Sequence, residues 1–177
     1  NKEACPNNLA PTTSTTVQLA MGDALSMCLL DLKKFNASDF AKFHPGGVLG
    51  KNLYLTTQDL ITSDTPPTVK LKDSIKKVIN EITSKRLGAT AVIEKSQVVG
   101  IITDGDIRRM LELNDNINDI IASDIMTVNP IKVEHDLLAK KAVKLMNNKS
   151  INHLIVTKNS SFIGLIHILD FTKEGIS

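Results

Sequence analysis

The sequence predicts a mixed α/β (α+β) fold built around a duplicated unit, and three observations predict it. Residues 69–106 and 131–170 match with two one-residue shifts, and helical and alternating apolar patterns follow in the same order in both copies. A hydrophobic content of 42% over 177 residues suffices for one ordinary domain or two small ones. A Pro- and Gly-rich break then separates this repeat from an apolar helical stretch near the N-terminus.

That first stretch begins with Leu-Ala-Pro-Thr-Thr-Ser-Thr-Thr at 9–16 and becomes helically spaced and apolar over 17–25. Ser14 and Thr15 therefore fall at a helix N-terminus. Hydroxyls there cap free backbone N–H groups, and the same N–H groups with the helix dipole hold an anion such as phosphate. The break follows as Ala-Lys-Phe-His-Pro-Gly-Gly-Val-Leu-Gly-Lys at 41–51. Pro45 fixes its own φ and pushes His44 out of the α region, while Gly46, Gly47 and Gly50 permit close backbone approaches. No helix is expected to run through this stretch, which leaves His44 displayed in a loop.

Each repeat opens on a short extended piece, 69–71 or 131–133, followed by an amphipathic helix. Ile75, Val78, Ile79 and Ile82 form one helical face, with Asp73 or Ser74 as N-cap; Leu138, Ala142, Leu145 and Met146 form the other, with Asp136 at its start. Two β-hairpins come next, 89–93 with 98–102 and 154–156 with 162–166, turning at 94–97 and 157–161. Gly100 or Gly164 lies in the returning strand, and Asp106 or Asp170 marks the start of a further helix. A unit of about 50 residues cannot bury both faces of so small a sheet, so the two copies are expected to pack as a pseudo-twofold pair.

Composition excludes several classes of function. The 21 basic and 19 acidic residues are interspersed, giving a net charge of +2, and aromatic content is 3% with no Trp. Neither a basic stripe nor a stacking surface for bases is present, so no nucleic-acid partner is expected. No apolar run reaches the roughly 20 residues of a membrane helix, and the N-terminus lacks a signal-peptide layout. Cys5 and Cys28 form neither a disulfide framework nor a metal-ligand cluster, which points to the cytoplasm. His135 and His153 have no partners at ligand spacing, so no metal site is expected. The absence of an initiator Met suggests a fragment whose upstream part is missing.

The order of elements, with Asp-Ile-Met-Thr at 124–127 and Gly-Ile-Ile-Thr-Asp-Gly-Asp at 100–106, resembles tandem CBS domains over residues 59–177. The segment before them resembles the last part of a sugar isomerase (SIS) α/β domain. More closely, residues 9–25, 41–51 and a following CBS pair resemble the D-arabinose 5-phosphate isomerases of lipopolysaccharide and capsule synthesis. The implied organisation is an SIS remnant at 1–52, a linker at 53–58, and CBS domains at 59–116 and 117–177. The implied reaction interconverts D-ribulose 5-phosphate and D-arabinose 5-phosphate without a cofactor, in a homo-oligomer whose histidine is often lent between subunits. The upstream phosphate loops and lysine of that family are missing here, so the fragment is expected to be inactive alone.

An enediolate route requires a base, an acid and stabilisation of the oxyanion. His44 and Glu3 stand where the resembling family carries its site histidine and glutamate. Imidazole titrates near working pH, and a carboxylate serves as base if its surroundings raise its pKa. Glu3 is assigned as base and His44 as the group assisting ring opening or protonation, with the reverse left open; from the residues alone, Glu3 is an ordinary surface carboxylate and His44 equally a helix cap.

In the CBS pair, Thr103 and Asp106 follow the GxxTxxD arrangement of nucleotide-binding members. A carboxylate can accept from both ribose hydroxyls while the threonine and helix N–H groups hold phosphate, although the same residues serve as a plain helix cap. The second copy has His167 in place of Thr103 and keeps Gly164 and Asp170, so one good site is expected rather than two. The implied effector is a nucleotide or nucleotide sugar such as CMP-Kdo. The competing reading is a non-catalytic CBS module for ligand binding or dimerisation.

Overall fold

The computed structural model of the chain describes residues 2–44, 47–114 and 116–176. The chain divides into two compact units, Asn1–His44 and Pro45–Ser177.

The first unit is helical. Helix α1 (Thr13–Leu32) has no buried residue, and Val17, Leu19, Met21, Leu25 and Leu29 are all exposed around it. A helix apolar on every side is built for burial rather than for a water-facing surface. Helix α2 (Ala37–Phe43) was not foreseen in the sequence. Asn36 starts it with a capping box, accepting from the Ser38 and Asp39 N–H groups while Asp39 accepts from the Asn36 N–H.

In the second unit helix α3 (Val48–Tyr54) comes first. The predicted loop at 41–51 is therefore shorter than its composition suggests, with helices taking 41–43 and 48–51. His44 does leave the α region, at φ −129° and ψ 56°. Gly47 is an extended N-cap and Gly50 lies buried within α3, so neither supplies a left-handed turn. Pro45 and Gly46 lie outside the described residues.

The first module runs β1 (Thr68–Lys70), α4 (Ile75–Lys85), β2 (Ala89–Glu94), β3 (Gln97–Thr103) and α5 (Asp104–Leu113). A short helix α6 (Ala122–Ile125) and strand β4 (Thr127–Val128) complete its sheet, in order β1-β2-β3-β4. The second runs β5 (Lys132–Glu134), α7 (Ala139–Lys149), β6 (His153–Lys158), β7 (Ser161–His167) and α8 (Ile168–Lys173), with sheet order β5-β6-β7. In each, the first strand pairs parallel to the second across a helix, and the hairpin is antiparallel with one register shift, at Val92/Ile93 or Val156/Thr157. Two-residue turns, Lys95-Ser96 and Asn159-Ser160, close the hairpins with positive φ at all four residues.

Helix faces follow the sequence, with one correction. Ile75, Val78 and Ile82 are buried in α4, but α7 begins at Ala139 and buries Ala139, Ala142, Val143 and Met146. Leu138 is its N-cap and Asp136 lies outside it. The reason is tertiary: Leu55 accepts the Ala139 N–H, so the segment leading into the first module closes the helix of the second. The mirror arrangement holds for α4, where Ile120 accepts the Ile75 N–H and the Ser74 side chain caps nothing. Each module has its own core, and a third core of Ala89, Ala91, Val98, Ile101, Ile155 and Leu165 joins their sheets.

Candidate functional site

In the first unit, Glu3 sits at the N-terminus of α1. Its Oε2 accepts from the Thr12 N–H (2.7 Å), the Thr12 hydroxyl (3.1 Å) and the Ser14 N–H (3.2 Å). The Ser14 hydroxyl first, then the Thr12 N–H, hold its carboxyl at about 2, below the ordinary 4.5. Catalysis by a raised carboxylate is thus not what this geometry prepares. The Thr15 hydroxyl turns back onto the Thr12 carbonyl at 2.9 Å. The α1 N-terminus, where Ser14 and Thr15 were expected to meet phosphate, is occupied by the chain's own carboxylate. His44 ends α2, donating its N–H to the Phe40 carbonyl (3.0 Å), with its ring stacked on Phe40 at 4.4 Å between centroids. Among the described residues no hydrogen bond or ion pair joins Glu3 to His44.

In the second unit, a cleft of about 950 Å³ opens between the modules. The N-termini of α5 and α8 both point into it, which brings Thr103, Asp106, His167 and Asp170 into one site. Thr103 caps α5: its N–H and hydroxyl donate to Asp106 Oδ2 at 2.8 and 2.7 Å, and Arg109 reaches Oδ1 at 2.5 Å. His167 stands for Thr103 at α8, its N–H donating to Asp170 Oδ2 (2.9 Å) while Lys173 takes Oδ1 (2.8 Å). Both carboxylates are buried, at 9% and 6% exposure, so each is held ready rather than solvated. The side chains that cap the two helices are the ones that line the cleft.

The His167 tautomer is fixed by its own helix. Nδ1 accepts the Leu169 N–H at 3.1 Å, which leaves the ring proton on Nε2 as a donor. His153 packs edge-on against it at 4.8 Å, and its Nε2 donates to the Leu87 carbonyl at 2.9 Å, tying the second module to the first. Burial pushes the His153 pKa below its ordinary 6.5. Gly88, at φ +67°, leaves room beside it: a Cβ there would lie 3.3 Å from the Asp104 carboxylate and 3.5 Å from His153 Nε2.

Sequence reasoning missed Arg86, Arg108 and His153 in the cleft, and also Thr62 and Thr127. A signal for the last two was present. Asp59-Leu60-Ile61-Thr62 repeats Asp124-Ile125-Met126-Thr127, and Asp59 caps the Thr56 N–H as Asp124 caps the Ile121 N–H. Among the described residues no group of three or more His, Cys, Asp and Glu is arranged for a metal ion, and no helix is long and apolar enough to cross a membrane. Cys5 and Cys28 are free.

Two α/β modules joined face to face over a cleft lined by paired helix N-termini define a tandem CBS pair. The chain belongs to the CBS-domain family, whose model matches residues 58–113 and 122–176. Among curated proteins it is similar to arabinose 5-phosphate isomerase KdsD of Escherichia coli K12, 40% identical over 99% of this chain and 54% of that protein. It is likewise similar to arabinose 5-phosphate isomerase KpsF of Escherichia coli, 41% identical over 95% of this chain and 52% of the other. The chain thus spans about half the length of the curated relatives it matches. Among solved structures, a CBS domain at 26% identity superposes with a TM-score of 0.63, covering 69% of this chain and 98% of its own.

Proposed function

We propose that the chain forms part of an aldose-ketose isomerase that interconverts D-ribulose 5-phosphate and D-arabinose 5-phosphate, regulated by a nucleotide or nucleotide sugar in its CBS cleft. The observation carrying this reading is the 40% identity to an arabinose 5-phosphate isomerase across 99% of the chain, which takes in Glu3 and His44 as well as the CBS pair. The organisation proposed is an SIS segment at 1–52, a linker at 53–58 and CBS domains at 59–116 and 117–177, in a cytoplasmic homo-oligomer. The apolar circumference of α1 supports it, since such a helix belongs inside a larger domain.

The reaction moves a proton between C1 and C2 through an enediolate. Donors from Thr12 and Ser14 on its carboxylate keep Glu3 ionised and a weak base. Of the two assignments, this favours His44 as the group that moves the proton and Glu3 as a fixed anion. Assay of the full-length protein on D-arabinose 5-phosphate tests the reading. His44→Ala is expected to lower kcat by about 10²- to 10⁴-fold. Unchanged turnover in that variant would remove the role.

In the cleft, Asp106 and Asp170 offer acceptors for ribose hydroxyls, and Arg86 and Arg108 carry no ion-pair partner among the described residues and suit phosphate. Calorimetry of this chain against AMP, CMP and CMP-Kdo is expected to give one site, weakened about tenfold by Arg86→Ala. No heat with any of them would favour the competing reading of the pair as a dimerisation module.

A further inference from the structure

At the far end of the module interface from the cleft lies a second pocket, of about 890 Å³, walled by the β1–α4 turn, the first hairpin turn and the start of β7. We propose that it binds an anion with a flat apolar body, of the size of an aryl or nucleoside phosphate, independently of the nucleotide cleft.

The argument begins with the pseudo-twofold. Thr68-Val69-Lys70 and Lys132-Val133-Glu134 occupy equivalent register, Thr68 opposite Ala91 and Lys132 opposite Ile155. Val98 and Phe162 are likewise equivalent, each the first hairpin partner beyond the register shift. On the second module's side, Lys132 reaches across the interface and donates to the Val98 carbonyl at 2.6 Å. The mate of that bond would run from residue 68 to Phe162. Thr68 is too short to make it, and Thr68 and Phe162 instead line the open pocket. The opening is therefore specific to this sequence and not imposed by the fold, which fills the equivalent place with its own lysine.

Charge and shape select the ligand. Lys70, Lys72, Lys77 and Lys95 surround the pocket against two carboxylates, Asp73 and Glu94. Asp73 is already committed, to the Lys70 N–H at 2.7 Å and to Lys77 at 2.9 Å, so it adds little repulsion. Lys70, Lys72 and Lys95 have no ion-pair partner among the described residues. Across the equivalent β5–α7 turn the signs reverse, with Glu134 and Asp136 in place of Lys70 and Lys72. Ile93 and Phe162, half-buried against the inter-module core, offer a flat apolar floor, and Ser96 and Ser161 bring hydroxyls to the rim. Phosphate on the lysines and a ring on Phe162 satisfy both halves of the lining.

Phenyl phosphate is a suitable probe, with inorganic phosphate alongside to separate the anion from the ring, in residue-resolved amide titrations of this chain. The expected result is saturable shifts at 70–73, 94–96 and 161–162, with phenyl phosphate binding more tightly than phosphate. Thr68→Lys, which supplies the missing plug, is expected to weaken binding at least about tenfold. Lys72→Glu, at an exposed position, is expected to weaken it several-fold and serves if the first variant misfolds. Arg86→Ala in the cleft should leave these shifts in place. Shifts confined to the cleft, no saturable shift anywhere, or unchanged binding in both pocket variants would overturn the proposal.

Discussion

Gly164 of β7 faces Ile61 so closely that a Cβ on the glycine would stand 2.8 Å from the isoleucine side chain. Gly100 of β3 stands in the same relation to Met126, its pseudo-equivalent neighbour. In both places a side chain from the segment that precedes one module lies on the hairpin of the other, and only hydrogen at the glycine admits it. Gly164→Ala should therefore lower stability by about 1–3 kcal/mol through overpacking. Adding Ile61→Val should recover part of that loss in a denaturant titration; strict additivity of the two changes would argue against direct contact. Gly100→Ala should cost less, because the unbranched Met126 can move aside.

These contacts also mark the limit of what could be read from the chain. The duplication was legible because period and order survive in each copy: apolar faces at Ile75, Val78 and Ile82, alternation through the hairpins, and Asp106 and Asp170 at helix starts. Asp106 and Asp170 follow from that pattern, whereas Thr103 and His167 come from the resemblance to the CBS motif. Non-local partners left no such trace. Nothing near Asp136 announces that the Leu55 carbonyl, more than eighty residues earlier, sets the start of α7. Nothing near His153 names Leu87. The Glu3 environment was hidden in the same way, since a surface carboxylate and a helix-bound one are identical in sequence until the partner N–H groups of Thr12 and Ser14 are placed.

His153 should make the module interface sensitive to acid. Burial lowers its pKa, outweighing the Leu87 carbonyl, while the neighbouring His167 ring lowers it and Asp104 and Asp170 raise it. The unfolded chain then binds the proton first as pH falls, so stability is whole above 6.5 and declines from there towards the lower folded value. His153→Gln keeps a donor for Leu87 and cannot titrate. Thermal unfolding of this variant should lose the part of the pH dependence lying below 6.5. An unchanged slope would assign the dependence elsewhere.

Glu3 carries the same sign in a more acid window. With its carboxyl held at about 2 against 4.5, its contribution is complete above 4.5 and is lost as pH falls towards 2. Glu3→Gln should flatten that acid limb in the helical signal and speed amide exchange at Thr12 and Ser14, whose N–H groups lose an ionised acceptor. Exchange at the far end of α1 should be unaltered, because a cap acts on the first turn.

Lys51 of α3 and Glu174, just past α8, pair at 2.7 Å across more than a hundred residues of sequence. The preceding residue, Lys173, is bound to Asp170 in the cleft, so adjacent side chains at the end of α8 serve the cleft and α3. Val48 meets the same end, lying 3.1 Å from where a Cβ on Gly175 would be. Helix α3 is in this way docked on the second module. Glu174→Gln should loosen α3, raising exchange at its amides by about fivefold at most, as a partly exposed ion pair permits. If AMP binds the cleft, it should alter exchange in α3 of the wild type, and Glu174→Gln should change AMP affinity in return, since coupling is reciprocal. AMP binding that leaves α3 untouched in both proteins would show that the cleft and the helix do not communicate.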